Sequence, residues 1–421
     1  MRRFAPILLI LLSLSCARNP YIELQNKHIA RVEQHLIAPD YARPVPADHA
    51  SINDRLAFWH VPGVSIAVIN NGTVEWAKGY GMADLATSKP VDKRTLFHGA
   101  SLSKPVNAIS ALTFVQDGKL DLDKDVNEQL TGWQLPPSEF TKSIKITLRR
   151  LLSHTAGMSV AYWGLGFPAD GPDVSLVDVL NGKPPATQPV KVEEFPGKRF
   201  HYSGGAVAIS QLMQEEIAKQ PYPTIIKQRI FEPLGMTEST QEQRLTADQL
   251  AHVAPGFKAG KRVNGPERVY PAMSGAGLWT TPEDYCKIVL EIQRAVAGEK
   301  TRVLSPGAAN AMLTPYIANA KNASSQKATV GMGVFLSGQN KGRTFFHAGS
   351  HAGYACYMIG RLDGGQGVVV MTNGDDAFDL IAEIVQTIGQ EYGWPDYHFV
   401  PPPRTKTTTQ PTTNLTTKPV Q

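Results

Sequence analysis

The 421-residue chain is expected to fold as an α+β protein, an antiparallel sheet flanked by helices and interrupted by a mostly helical insertion. Three observations carry this expectation. Strand patterns sit at both ends: "VSIAVIN" and "TVEWAKGYG" early, then "TVGMGVFL", "GRTFFHAG", "YACYMIGR" and "QGVVVMTN" late. Between them lie helical periodicity and Gly/Pro-rich loops such as "GLGFPADGPD" and "NGKPPATQP". Helix candidates open and close the pattern, "KHIARVEQHLIA" and "DLIAEIVQTIGQEYG".

Taken in order, residues 1–16, "MRRFAPILLILLSLSC", have a basic start, a short apolar run from Ile7 to Leu12 and small residues before a cysteine, the layout of a secretory signal. The run is too short to span a bilayer. Ser13-Leu14-Ser15-Cys16 approximates a bacterial lipobox, with serine where an aliphatic residue is usual. Processing then either lipidates Cys16 and attaches the chain to the membrane, or cleaves nearby. Both routes export the protein, to the periplasm or to a lipid anchor.

A hairpin is expected at Asn70-Asn71-Gly72. The sheet domain should draw on residues 25–100 and 260–395, and the helical domain on 101–259. The Pro/Thr-rich tail, 401–421, has no apolar period and reads as disordered. A cleft between the two parts is the default place for chemistry.

With 42% hydrophobic and 19% charged residues, the composition is that of a soluble globular protein with a large core. The formal charge of +5 falls to +3 without Arg2 and Arg3, and no Lys/Arg run interleaves with aromatics. Both points argue against nucleic acid as a partner. Beyond the leader only Cys286 and Cys356 remain, which make no disulfide framework and read as buried apolar side chains. The reading calls for no metal or cofactor.

The chemistry centres on "FHGASLSKPVNAISALTF". Leu102, Val106, Ile109 and Leu112 repeat with helical spacing after the Gly99-Ala100 break, so Ser101 and Lys104 share one turn. Pro105 puts the helix start close to Ser101. A hydroxyl at a helix N-terminus beside a lysine suits an activated nucleophile. Ser324 and Lys327 have the same spacing, but "KNASSQKATV" is polar and aperiodic, a solvated loop.

Two further stretches stand out. In "FPGKRFHYSGGAVAISQLM", Tyr202 precedes an apolar helix; taken alone, it reads as a buried core tyrosine. In "RTFFHAGSHAGYACYMIG", a strand ends at His347-Ala348-Gly349, followed by Ser350 and His351 and then another strand. Small residues there let a substrate lie against a strand edge whose free N–H helps hold an oxyanion. Lys258-Ala259-Gly260 is a rival for this role, but lies in a charged turn without a strand pattern.

Ser101-Leu102-Ser103-Lys104, Tyr202-Ser203-Gly204 and His347-Ala348-Gly349 resemble, in order, the three motifs of the serine β-lactamase and penicillin-binding-protein superfamily. The flanking stretches "LRRLLSHTAGM", "IFEPLGMTEST" and "GAGLWTTPEDY" are similar to its class C-like branch, which includes esterases and D-amino-acid peptidases. The resemblance, from about residue 25 to 395, implies the β-lactamase-like fold and an acyl-enzyme formed on Ser101. It implies that Lys104 or Tyr202 takes the serine proton; which acts first stays open, since coupled groups need not give a unique answer. It also implies an oxyanion hole from the backbone N–H groups of Ser101 and Ser350, with His347, Gly349, Ser350 and Gly204 at the substrate.

Two departures bear on substrate. Gly204 stands where the family usually has asparagine, which binds an acylamino group, and His347 where it often has lysine, which pairs with a carboxylate. The expectation is a serine hydrolase for a small ester, amide or peptide. The alternatives are a class C-like β-lactamase or D,D-peptidase, or a penicillin-binding sensor that barely deacylates.

Overall fold

Asn71 and Gly72, at φ 50° and 71°, turn the chain between strand β1 (Gly63–Asn70) and strand β2 (Thr73–Asp84). Two successive left-handed residues match the twist of the flanking strands, which is why Asn-Gly recurs in such turns. β1 is buried along nearly its whole length because it is covered on both faces. Val64, Ile66 and Val68 enter one core, and Ala67 and Ile69 the other.

The computed structural model describes residues 20–39, 50–164, 166–320, 328–338, 342–375 and 377–394. The leader with Cys16, Ser324 to Lys327 and the 401–421 tail lie outside the described residues. The sheet adds β3 (Lys89–Pro90), β4 (Ile317–Ala320), β5 (Ala328–Val330), β6 (Phe335–Ser337), β7 (Thr344–His351), β8 (Tyr354–Arg361) and β9 (Gly367–Thr372). Their order is β4-β5-β6-β7-β8-β9-β1-β2-β3 and every neighbour is antiparallel. The β1–β9 pairing, Val64 opposite Thr372, joins the early hairpin to the late strands.

Five longer helices surround the sheet: α1 (Pro20–Gln34), α2 (Ser103–Gln116), α3 (Gly204–Ala218), α4 (Pro282–Val296) and α5 (Phe378–Glu391). α5 packs Leu380, Ile381, Ile384 and Ile388 onto the Val64/Ile66/Val68 face. α4 and α2 cover the other face. Every residue of α2 from Ser103 to Phe114 is buried, as befits a helix enclosed on all sides. α3 is tied to it by polar bonds: Asn107 Nδ2 donates to Ser210 Oγ at 2.7 Å, and Gln214 Nε2 to Asn107 Oδ1 at 2.8 Å.

Two local expectations change. "TVGMGVFL" is two strands, β5 and β6. At the break Gly333 (φ 72°) donates to Leu152 O at 2.8 Å, and a Cβ there would lie 2.6 Å from the Ala108 Cβ of α2. Packing against α2 therefore demands glycine and interrupts the strand. Lys258-Ala259-Gly260 does have strands beside it, Gly256–Lys258 pairing with Lys261–Asn264. Cys286 and Cys356 are buried and not disulfide-bonded, and burial pushes the Cys356 thiol up to about 12. Among the described residues no helix is long and apolar enough to cross a membrane.

Candidate active site

The short strand Phe97–His98 pairs with Trp279–Thr280, and Gly99 N–H donates to Leu278 O at 2.8 Å, which delivers the chain to Ser101. Ala100 then adopts φ 45°, a left-handed conformation uncommon for a residue with a Cβ. A 3₁₀ turn, Ala100–Leu102, carries Ser101, and the α-helix proper begins only at Ser103. Pro105 thus falls in the first turn of α2, where its missing N–H costs no helical bond. Tyr285 OH donates to Leu102 O at 2.7 Å, and Ser103 Oγ donates to Ala100 O at 2.7 Å. The turn that carries Ser101 is held from both sides.

Lys104 Nζ lies 3.0 Å from Ser101 Oγ and donates to Gly275 O at 2.7 Å. Tyr202 OH reaches the same Ser101 oxygen at 2.9 Å, and Lys104 Nζ is 5.0 Å from the tyrosine ring centroid. Tyr202 is fixed from behind. Ser203 caps α3 by accepting from Ala206 N–H at 3.0 Å, and its own N–H donates to His154 Nδ1 at 3.2 Å. The His154 ring stacks on Tyr202 with centroids 4.4 Å apart. Burial above all, then the positive charge of Lys104, holds His154 well below the usual histidine range, so a neutral ring backs the tyrosine.

Strand β7 supplies the other wall. Its hairpin to β8 pairs His351 with Tyr354 across two residues, so the backbone groups of 347, 349 and 351 bond to β8 and those of 348 and 350 face the opposite edge. β6 pairs only with Thr344 to Phe346, which leaves the edge at Ala348 and Ser350 unpaired by a strand. Ser350 therefore presents a backbone N–H, while its side chain is exposed. Ser350 and His351 belong to the strand rather than to the connection after it. A Cβ on Gly349 would lie 2.3 Å from Gly99 O, so only glycine lets β7 come this close to the turn that carries Ser101.

His347 is buried at 2% exposure, with Nδ1 donating to Ala348 O at 2.8 Å. Burial, reinforced by Lys104, pulls its pKa down to about 3, and the ring is neutral at pH 7. Gly204 is covered by backbone: its N–H donates to Ala161 O at 2.9 Å, and a Cβ there would meet that oxygen at 2.7 Å. The space a side chain would need there is filled by the backbone of Ala161 and the ring of Trp163.

The profile of the family described as Beta-lactamase matches residues 52–386. The chain belongs to the beta-lactamase family. Protein flp of Staphylococcus aureus (strain N315) is 25% identical over 325 residues, covering 75% of this chain and 60% of flp. The chain spans less than two thirds of the length of the curated relatives it matches. Solved structures share the fold, two of them as follows. EstCE1, a hydrolase with promiscuous acyltransferase activity, superposes with TM-score 0.68 at 21% identity over 88% of this chain and 99% of its own. D-amino acid amidase from Ochrobactrum anthropi SV3 gives 0.64 at 21% identity over 81% and 96%.

Within this beta-lactamase-family site, sequence reasoning assigned no role to His154 or Gly275, although both lie in flanking stretches it singled out. Neither carries a local signal: one acts through ring stacking, the other through a carbonyl that any residue possesses. Among the described residues no group of three or more His, Cys, Asp or Glu side chains is arranged to hold a metal. A hydroxyl touched by an amine and a phenol, beside an open strand edge, is suited to nucleophilic attack on a carbonyl.

Proposed function

We propose that this chain is an exported serine hydrolase that forms an acyl-enzyme on Ser101 and hydrolyses a small ester or amide. The observation that carries the reading is the position of Ser101 Oγ, 3.0 Å from Lys104 Nζ and 2.9 Å from Tyr202 OH. Ser101 Oγ adds to the substrate carbonyl while its proton passes to the Lys104/Tyr202 pair. The developing oxyanion lies between the N–H groups of Ser101 and Ser350. The tetrahedral adduct collapses, the leaving group takes the proton from the pair, and water repeats the sequence to release the acid. The names of the two structural neighbours, a hydrolase and an amidase, agree with such chemistry. Export rests on the leader ending at Cys16, and mass spectrometry of the exported protein decides between a diacylglyceryl-cysteine and a plain N-terminus.

Esters are favoured over β-lactams by the two departures. With residue 204 covered by Ala161 O, no side-chain amide is available there for an acylamino group, and an unpaired buried polar group disfavours a ligand by roughly 1–3 kcal/mol. A neutral His347 offers a carboxylate no fixed charge. The test is kcat/KM for p-nitrophenyl acetate and butyrate against a chromogenic cephalosporin, the esters being expected to exceed it. Faster cephalosporin turnover would replace this reading with a β-lactamase or D,D-peptidase. One equivalent of acylation without steady turnover would mark a sensor.

A further inference from the structure

His98, three residues before Ser101, has no part in the mechanism above. It is 1% exposed, and its ring is enclosed by Trp279, Tyr270, His351 and Tyr354 at centroid distances of 5.0, 5.1, 5.3 and 5.6 Å. The cage is itself tied down: His351 lies 3.1 Å from Tyr270 OH through Nε2 and 2.9 Å from Asn264 Nδ2 through Nδ1. The ring is therefore not free to turn. Its Nδ1 accepts from Ala100 N–H at 3.3 Å. An amide only donates, so Nδ1 carries no proton and Nε2 does.

The bond falls on the Gly99–Ala100 peptide, which leads directly into Ser101. Gly99 sits at φ −71° and Ala100 at φ 45°, so the left-handed position is taken by alanine although glycine stands next to it. A flip of the Gly99–Ala100 peptide would release Ala100 from that conformation. It would also turn Ala100 N–H away from His98 and pull Gly99 O from Leu102 N–H, its partner at 2.9 Å. Both backbone changes precede Ser101 directly, so its hydroxyl and N–H would move off Lys104, Tyr202 and the β7 edge. A fixed acceptor at His98 Nδ1 opposes the flip.

We propose that His98 is a positioning residue: it latches the Gly99–Ala100 peptide in the orientation that presents Ser101 for reaction. The inference rests on Ser101 being the nucleophile, so the readout is the second-order rate of Ser101 labelling by a fluorophosphonate, which needs no knowledge of the natural substrate. If the wild-type protein is not labelled at Ser101, the nucleophile assignment itself fails; the outcomes below apply to a labelled wild type. His98→Leu keeps bulk and removes the acceptor, and is expected to slow labelling about tenfold, the effect of one lost hydrogen bond. The KM for p-nitrophenyl butyrate should change less than about threefold, since ground-state binding does not use the latch. His98→Asn, whose Oδ1 takes the place of Nδ1, should stay within about threefold of wild type in labelling rate. In an Ala100→Gly background the His98→Leu penalty should shrink to below about threefold, because glycine holds a positive φ without help. Equal labelling of wild type and His98→Leu overturns the proposal, as does a tenfold loss in His98→Asn or an undiminished penalty in the Ala100→Gly background. Should His98→Leu fail to fold by circular dichroism, His98→Phe, which also lacks the acceptor, takes its place with the same expected loss and the same overturning result.

Discussion

The two faces of the sheet bury charged groups in opposite ways. On the α5 face the Arg55 guanidinium, 2% exposed, meets Glu383 at 2.6 Å, and Trp59 Nε1 donates to the second carboxylate oxygen at 2.7 Å. On the cleft face Lys104, 4% exposed, pairs with no carboxylate among the described residues; it touches a hydroxyl, a carbonyl and a tyrosine ring. Around it His154 and His347 are kept neutral. A buried cation without a counter-ion costs stability. The difference teaches that the α5 face pairs its buried cation with a carboxylate, whereas the cleft face leaves the Lys104 amine against the Ser101 hydroxyl with no carboxylate among the described residues to hold it.

The contrast breaks most sharply if Ser101→Ala still reacts. Fluorophosphonate labelling and ester hydrolysis should fall to background, with the thermal midpoint changed little, since only one hydroxyl is removed. Next in size is Glu383→Ala, which removes the buried carboxylate shared by Arg55 and Trp59 and should cost about 3–5 kcal/mol in urea unfolding. Activity per folded molecule should remain that of wild type. A large fall in specific activity there would mean that the two faces are coupled. Lys104→Ala and Tyr202→Phe follow, each lowering the acylation rate by about a hundredfold. Near-normal acylation in either variant would make that residue structural.

Of the residues that converge on Ser101, Lys104 was legible locally because the two share a turn, and β7 because its apolar run is bounded by small residues; Tyr202 alone reads as a core tyrosine and was legible only through the ordered resemblance of the three motifs. The strands β1, β7, β8 and β9 were legible for the same reason: their apolar runs are long and bounded by turns. What escaped depends on partners distant in the chain. The break between β5 and β6 exists because Gly333 meets Ala108. The covered position of Gly204 depends on Ala161, whose contribution is a backbone carbonyl. His98 and His154 act through rings supplied by other segments, and no spacing encodes a stacking distance.

The smallest effect sharpens the comparison through pH. His347 and His351 are pulled down to about 3 and about 4, chiefly by burial, whereas an unfolded histidine titrates near 6.5. Between those values the unfolded chain binds protons that the native chain does not, so stability rises with pH across the interval. Their contribution is complete above about pH 6.5 and is lost as the pH falls toward 4 and then 3. Each histidine can supply a slope of up to roughly 1.4 kcal/mol per pH unit. The Glu383 carboxyl is pushed up by burial despite Trp59 and Arg55, so its contribution runs the other way: just above the ordinary carboxylate range the native state holds the extra proton. Urea midpoints measured from pH 4 to 7 should therefore fall with acid in the wild type. The fall should be shallower in His351→Asn, because a titrating group of the cleft face is gone, and steeper in Glu383→Gln, because the opposing group of the α5 face is gone. Parallel curves for wild type and both variants would show that neither His351 nor Glu383 contributes to the pH dependence of this fold.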